Sequence, residues 1–416
     1  MKSSWKIRLA ATAGSIALWS PTAIAQEAPV DADAPASTDR SATYLDLTAG
    51  LGYSSNPRMQ FGDGQGSAFG RVSARGFHSM VGERTSGVVT GFVEASSYFQ
   101  DYGVESIFAV DGNVSHEASE KVTLFGSVGF SGDISGQLSN RFLYTPPNVE
   151  VPDPNLPPPV TVEDPDFFGF AGRQYRLYGQ TGASIRVSER GRVSISGGAQ
   201  RVFYTEDLLN DYTSVFGTVS YDHTLSERTS VGVSTSINRT DYDNLGDSST
   251  IVNPSVYIRT QLAENLEAQG SIGVAFSSVE RDGSSDSSTN ISGDASLCRT
   301  TETERLCGRV SRYSAASSQD ALVTTSSIGV DWFKRLDADQ TIQLSASAVR
   351  YAVDDLLPDT SASQHYRVAA SYSRRINGRL SAGADLGART LRVDGPDPDP
   401  DFTGSLFVRY RLGDLG

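Results

Sequence analysis

The chain has 416 residues, a net charge of −14, 38% hydrophobic residues and 40 glycines. A chain this acidic repels the phosphate backbone, which excludes nucleic acid as a partner. Beyond the N-terminus no apolar run approaches the ~20 residues a membrane-crossing helix needs, and no stretch holds helical periodicity, which excludes a helical membrane protein and a helix-rich soluble enzyme.

Residues 1–25 read as a secretory signal peptide. Lys2, Lys6 and Arg8 make a positive n-region, Leu9 to Trp19 a short apolar core, and Ala23-Ile24-Ala25 a cleavage site before Gln26. Removing those three cations leaves the exported chain at −17. Residues 26–42 are rich in Ala, Pro and Asp and form a flexible leader.

From residue 43 onward the chain falls into long segments of alternating polarity, the period of a half-buried strand. In the first, Leu45, Leu47, Ala49, Leu51 and Tyr53 share one face, and Asp46, Thr48, Gly50 and Gly52 the other. Sixteen spans are predicted: approximately 43–53, 67–80, 86–99, 105–117, 121–134, 173–188, 191–205, 212–225, 228–242, 250–262, 265–279, 319–334, 339–353, 362–375, 378–392 and 401–412. Their connections alternate in kind. Every second one is short and charged, as in Val81-Gly82-Glu83-Arg84, Ser188-Glu189-Arg190-Gly191 and Arg375-Ile376-Asn377-Gly378. The others tend to be long, above all the Pro-rich 135–172 and the Ser/Asp-rich 280–318, although the one around Gly103 is itself short.

A meander through a membrane puts alternate connections on opposite sides, and outer-membrane barrels have short periplasmic turns and long extracellular loops. The expected fold is therefore all-β: a transmembrane, antiparallel, up-and-down β-barrel over residues 43–412, of about sixteen strands, with both termini periplasmic. Residues 413–416 follow as a C-terminal tail. Closure removes the strand edges that lipid would penalise. Tandem sandwiches or a solenoid would show more apolar inner faces or a fixed repeat, and neither is present. This reading places the chain in the bacterial outer membrane, against lipid and lipopolysaccharide.

Projection of the strands puts Leu, Val, Ile and Ala outward, with Tyr53, Phe130, Trp332, Phe402 and Tyr410 toward strand ends as interfacial girdles. The inward face carries charge. Arg71, Arg75, Arg367, Arg389, Arg409 and Arg411 fall on the second and the last three strands, which closure brings together as one basic wall, interrupted by Asp46 and Asp385. Glu94, Asp111, Arg176, Arg186, Arg259 and Asp331 are further lumen charges. The wall either guides an anionic solute or polymer, or belongs to an Arg–carboxylate lattice that holds the barrel; unpaired arginines would mark the first, paired ones the second.

Cys298 and Cys307, the only cysteines, share one polar segment of an exported chain and are expected to form a local disulfide, with free thiols the alternative. No metal or cofactor spacing stands out. His78, His116, His223 and His365 are scattered singly, so no catalytic site is expected and the chain is read as no enzyme. Gly62 to Gly66 lacks the Lys and the βα context of a phosphate loop. Glu163 to Asp166 and Asp394 to Asp401 read as solvated surface loops. Loop 135–172 either folds inward as a constriction or stands outward as a partner site.

The segment Leu47-Thr48-Ala49-Gly50-Leu51-Gly52-Tyr53-Ser54-Ser55-Asn56-Pro57 resembles the opening of the outer-membrane β-barrel porin 2 group, in which an apolar strand ends in Tyr, two small or acidic residues and Asn. The succession of strand, short Ser-Glu-Arg turn and strand is similar over residues 43–412. Members often accompany exopolysaccharide assembly and export, so the resemblance implies polymer passage beside polysaccharide-export machinery. The chain departs at its end, where Gly413-Asp414-Leu415-Gly416 follows Tyr410 and Leu412 instead of a final aromatic residue. Two functional readings stand: an outer-membrane channel for small solutes or an exported anionic polysaccharide, and a closed structural or interaction barrel in an export complex.

Overall fold

The computed structural model describes residues 41–57, 59, 64–99, 103–134, 173–205, 209–243, 247–281, 284–316, 322–353, 363–392 and 397–413. The signal peptide, most of the leader, loop 135–172 with its Glu163 to Asp166 run, Gly62-Asp63 and residues 414–416 lie outside the described residues.

Among the described residues eighteen strands form one sheet. The first six are β1 (Ala42–Ser54), β2 (Ser67–Val81), β3 (Thr85–Tyr98), β4 (Val104–Ser119), β5 (Val122–Ile134) and β6 (Arg173–Arg186). Then come β7 (Gly191–Tyr204), β8 (Tyr212–Ser226), β9 (Thr229–Tyr242), β10 (Ser248–Ala263), β11 (Leu266–Arg281) and β12 (Ser284–Thr300). The last are β13 (Glu304–Ala316), β14 (Leu322–Arg335), β15 (Gln340–Val353), β16 (Ser363–Arg375), β17 (Leu380–Arg392) and β18 (Asp401–Gly413). Each pairs antiparallel with its sequence neighbours, and β1 pairs with β18 from Tyr44↔Gly413 to Ser54↔Thr403. The sheet is therefore a closed up-and-down barrel.

Its polarity is inverted relative to a water-soluble protein. Along β8, Ser214, Thr218 and Ser220 are buried toward the interior while Val215, Val219 and Tyr221 are exposed outside. Outward Leu51, Leu386 and Leu406 are 66%, 63% and 69% exposed. A contiguous apolar exterior of this extent needs an apolar environment to cover it. Outward aromatics mark its two borders. On β18, Phe402 and Tyr410 lie eight residues apart, about 26 Å along a strand at ~3.3 Å per residue. A strand tilt of ~40° makes that a band roughly 20 Å tall, close to what barrels show in lipid.

The short connections 82–84, 120–121, 187–190, 227–228, 264–265, 301–303, 336–339 and 376–379 all lie at one end of the barrel. Their polar residues are explained locally. Asn377 Oδ1 accepts from the Arg379 and Leu380 amides, both at 2.9 Å, and Asp337 Oδ1 from the Asp339 amide at 2.8 Å. Such side chains satisfy turn amides that no strand reaches. The even strand number leaves both ends of the barrel chain at this same rim.

One expectation is corrected. The barrel has eighteen strands rather than about sixteen, because the segment 280–318, read as a long loop, contains β12 and β13. The outward face of β12 offers only Ile291, Ala295 and Leu297, and that of β13 Leu306 and Val310, so the apolar signal is thin. The Ser/Asp-rich half of β12 is held by its ladder with β11, from Ser277↔Ser288 to Arg281↔Ser284. Backbone pairing, not side-chain polarity, makes it a strand.

Candidate functional site

Register sets which charges meet. Closure places β16, β17, β18, β1, β2 and β3 side by side, so Arg71, Arg75, Arg367, Arg389, Arg409 and Arg411 share one stretch of inner wall. Carboxylates stand among them, and three ionic clusters follow one another along the closing seam.

Nearest the long connections, Asp401 is fully buried and accepts four hydrogen bonds. Ser54 Oγ and the Asn56 amide reach Oδ1 at 2.6 and 3.0 Å; Arg389 Nε and Thr403 Oγ1 reach Oδ2 at 2.8 and 3.1 Å. Arg389 Nη2 also donates to Pro57 O at 2.7 Å, and Asn56 Nδ2 to Asp399 O at 2.9 Å. The Ser-Ser-Asn-Pro segment after β1 thus ties the first strand to the last. Asp401 is not part of a solvated loop, as the run Asp394 to Asp401 led us to expect; it is the hub of this cluster.

In the middle, Arg71 Nη2 on β2 donates to Asp385 Oδ2 on β17 at 3.0 Å, spanning β1 and β18. Small inward residues on the intervening strands allow the reach. A Cβ at Gly52 would stand 2.5 Å from the Phe69 ring and 2.6 Å from Gly404 O, so only glycine lets Phe69 lie across β1. Asp385 also accepts from Ser371 at 2.8 Å and Ser405 at 3.5 Å, and Glu94 lies 4.0 Å from Arg71 Nε. Toward the short turns, Arg411 makes a bidentate pair with Asp46 at 2.8 and 2.9 Å and stacks 4.2 Å over the Tyr44 ring.

Two of the remaining wall arginines lie near rings, and the third faces another arginine across the ladder. Arg75 lies 5.3 Å over Phe92, Arg409 lies 5.9 Å from the Phe407 ring, and Arg367 stands directly opposite Arg389 in register. The other predicted lumen charges are brought to the inner face but not to this seam. Asp111 accepts from Tyr178 at 2.6 Å, and Arg176 donates to Gln200 at 2.5 Å. Arg259 lies 3.9 Å from Glu267, Asp331 pairs with Arg309 at 3.2 Å, and Arg186 is exposed opposite Arg192.

Cys298 and Cys307 are joined by a disulfide. It lies in the wall, between residues in direct register on β12 and β13, and faces the interior beside Glu267 and Asp331 rather than sitting in a loop. His78, His116 and His223 lie at the short-turn rim, where the first two bond to the neighbouring-strand Thr43 and Thr85 at 2.7 and 2.8 Å. Sequence reasoning missed Asp401, Asn56 and Arg309. The phase of β18 alone would have turned Asp401 inward with Thr403 and Ser405, whereas Arg309 was hidden inside the missed hairpin.

Between the upper and middle clusters a small recess opens to the lumen, with room for little more than a water molecule. Phe69 and Tyr98, with rings 5.4 Å apart, line one side, and Arg71, Glu94, Asp385 and Ser405 the other.

The sequence matches no family model and no curated protein. Solved structures similar in fold include OccK2 (OpdF) of Pseudomonas aeruginosa, with TM-score 0.46 and 11% identity over 90% of this chain and 98% of that one. OpdQ of Pseudomonas aeruginosa gives 0.44 and 11% over 90% and 98%. The FrpB iron transporter from Neisseria meningitidis gives 0.46 and 9% over 84% and 62%, so this chain spans under two thirds of that structure's length.

Proposed function

We propose that the chain is an outer-membrane channel protein, with the short-turn rim and both termini in the periplasm, and that small polar solutes cross through its lumen. The observation that carries this reading is the inverted polarity of a closed barrel: apolar side chains outside, charged and hydroxyl side chains inside. Lipid tolerates a spanning sheet only when no edge is left unpaired, and a barrel of this strand number is wide enough for water. The signal peptide read in residues 1–25 supports export, and the chain is given no catalytic role.

On β1–β3 and β16–β18 the six wall arginines meet four inward carboxylates, Asp46, Glu94, Asp385 and Asp401, so positive charge is in excess along the seam. That supports a modest anion preference. The pairs of Arg71, Arg389 and Arg411 favour a second reading, in which the seam holds a closed barrel that serves as an envelope partner. The polymer passage implied by the porin 2 resemblance would need the same lumen and the same excess charge.

Single-channel recording of the refolded chain in a planar bilayer tests this. The expected result is a steady conductance whose reversal potential shows mild anion preference, reduced in an Arg367→Ser/Arg409→Ser variant. No conductance from protein shown to be folded by heat-modifiable gel migration would overturn the channel and leave the structural barrel.

A further inference from the structure

Arginines also stand on the outer wall, and they differ between its two sides. Arg201 on β7 and Arg239 on β9 face outward at the end opposite the short turns. Each meets a carboxylate, Asp243 for the first and Asp241, at 3.0 Å, for the second. On the far side of the barrel, β13 to β17 carry one polar row in direct register: Arg312↔Ser326↔Arg350↔Gln364↔Arg392. Its members share the outward phase of Val310, Ile328, Leu344, Val368 and Leu386, and all three arginines are exposed. Among the described residues, the outward positions of these five strands hold one carboxylate, Glu304, at the opposite, short-turn rim. Outward Tyr366, two residues along β16 from Gln364, marks the aromatic border, so the row lies just beyond it, at headgroup height.

We propose that this row docks the phosphate groups of a phosphorylated glycolipid in the outer leaflet, the chemistry that lipopolysaccharide presents at that height. Guanidinium groups bind phosphate bidentately and stay charged. Neighbouring arginines of the row stand two strands apart, about 10 Å at ~4.8 Å per strand, so each can hold a separate phosphate. Arg392 lies 5.5 Å over the Tyr366 ring and Arg312 donates to Ser326 at 3.0 Å, which orients both. Gln364 accepts from the Tyr366 hydroxyl at 2.6 Å, and its amide adds a neutral donor between Arg350 and Arg392. A zwitterionic headgroup brings its own cation beside its phosphate, and three arginines without a carboxylate among them repel that cation. The inference rests on the proposed membrane reading, which puts the long connections outside the cell.

The probes are diphosphoryl lipid A, its monophosphoryl form and phosphatidylcholine, each titrated in fluorescent form into the refolded full chain in an uncharged detergent. Diphosphoryl lipid A is expected to bind at least about tenfold more tightly than phosphatidylcholine, with the monophosphoryl form between them. Its affinity should fall as salt is raised. An Arg312→Ser/Arg350→Ser/Arg392→Ser variant should lose about tenfold of that affinity, whereas Arg239→Ser, which removes an arginine already paired, should lose none. Equal binding of diphosphoryl lipid A and phosphatidylcholine would overturn the proposal. So would unchanged binding in the folded triple variant, or an equal loss in Arg239→Ser. Displacement of the lipid by millimolar inorganic phosphate would assign the row to a soluble anion and overturn it too. The lipid comparison on the unaltered chain decides even if the variant does not fold. Lipid preference without conductance would retain the row and reject the channel; conductance without preference would do the reverse.

Discussion

Asp401 shows what a single residue's surroundings add to its phase in a strand. Alternation along β18 is enough to turn it inward, but nothing local predicts that Ser54, Asn56, Arg389 and Thr403 will converge on it. Those partners lie on β1, the connection after it, β17 and β18, and closure alone brings them together. For the same reason the inward face of Arg71, Arg389 and Arg411 was legible in the sequence, while the pairing that decides between guiding and holding was not. The pairs are unequal in energy. Arg71 and Asp385 are largely buried, with side chains 7% and 11% exposed, so removing one partner strands a charge. Asp385→Asn should cost about 3 kcal/mol of stability. Asp331→Asn, whose pair with Arg309 is 40–44% exposed, should cost less than about 1 kcal/mol. Urea unfolding of both variants in phospholipid vesicles checks the contrast; equal losses would mean that burial along the seam does not set the strength of these pairs.

Elements were read from two signals of different strength. Sixteen of the strands carry enough outward apolar residues to be found by alternation, and their spans agree with the structure to within a few residues. The β12–β13 pair escaped because its lipid-facing positions are few and its upper half is Ser and Asp. The alternation of short and long connections gave no warning. A missed hairpin removes two strands and so preserves parity, whereas a single missed strand would have inverted it. The disulfide between Cys298 and Cys307 lies inside that hairpin, which is why two cysteines that looked like loop residues turn out to brace the wall. What a strand needs at each height also predicts how it fails. Leu406, midway between Phe402 and Tyr410, is 69% exposed on the outside. Leu406→Arg should cost about 2–4 kcal/mol, and Leu412→Arg, beyond the aromatic border, at most about 1 kcal/mol. Urea titration in vesicles measures both, and a Leu406→Arg variant as stable as the parent would place that face outside lipid.

At the scale of the whole molecule, a composition of only 38% hydrophobic residues is explained by the inversion of the barrel. Sparse hydrophobicity suffices because only the outer face of each strand is apolar. Small interior residues such as Gly50, Gly52 and Ser405 make room for Arg71 and Phe69 to cross the seam. The central claim is that β14 and its neighbours separate lipid from a water-filled lumen, and the native cysteines, joined to each other, leave a background free of thiols for testing it. The most direct measurement is labelling of single cysteines at positions 327, 328, 329 and 330 by a water-soluble maleimide in sealed proteoliposomes. Ser327 and Gly329 face the lumen, whereas Ile328 and Val330 are 56% and 45% exposed outside. The predicted result is rapid labelling at 327 and 329 and protection at 328 and 330 that detergent relieves. Labelling at 328 and 330 as fast as at 327 and 329, in intact vesicles, would contradict the account.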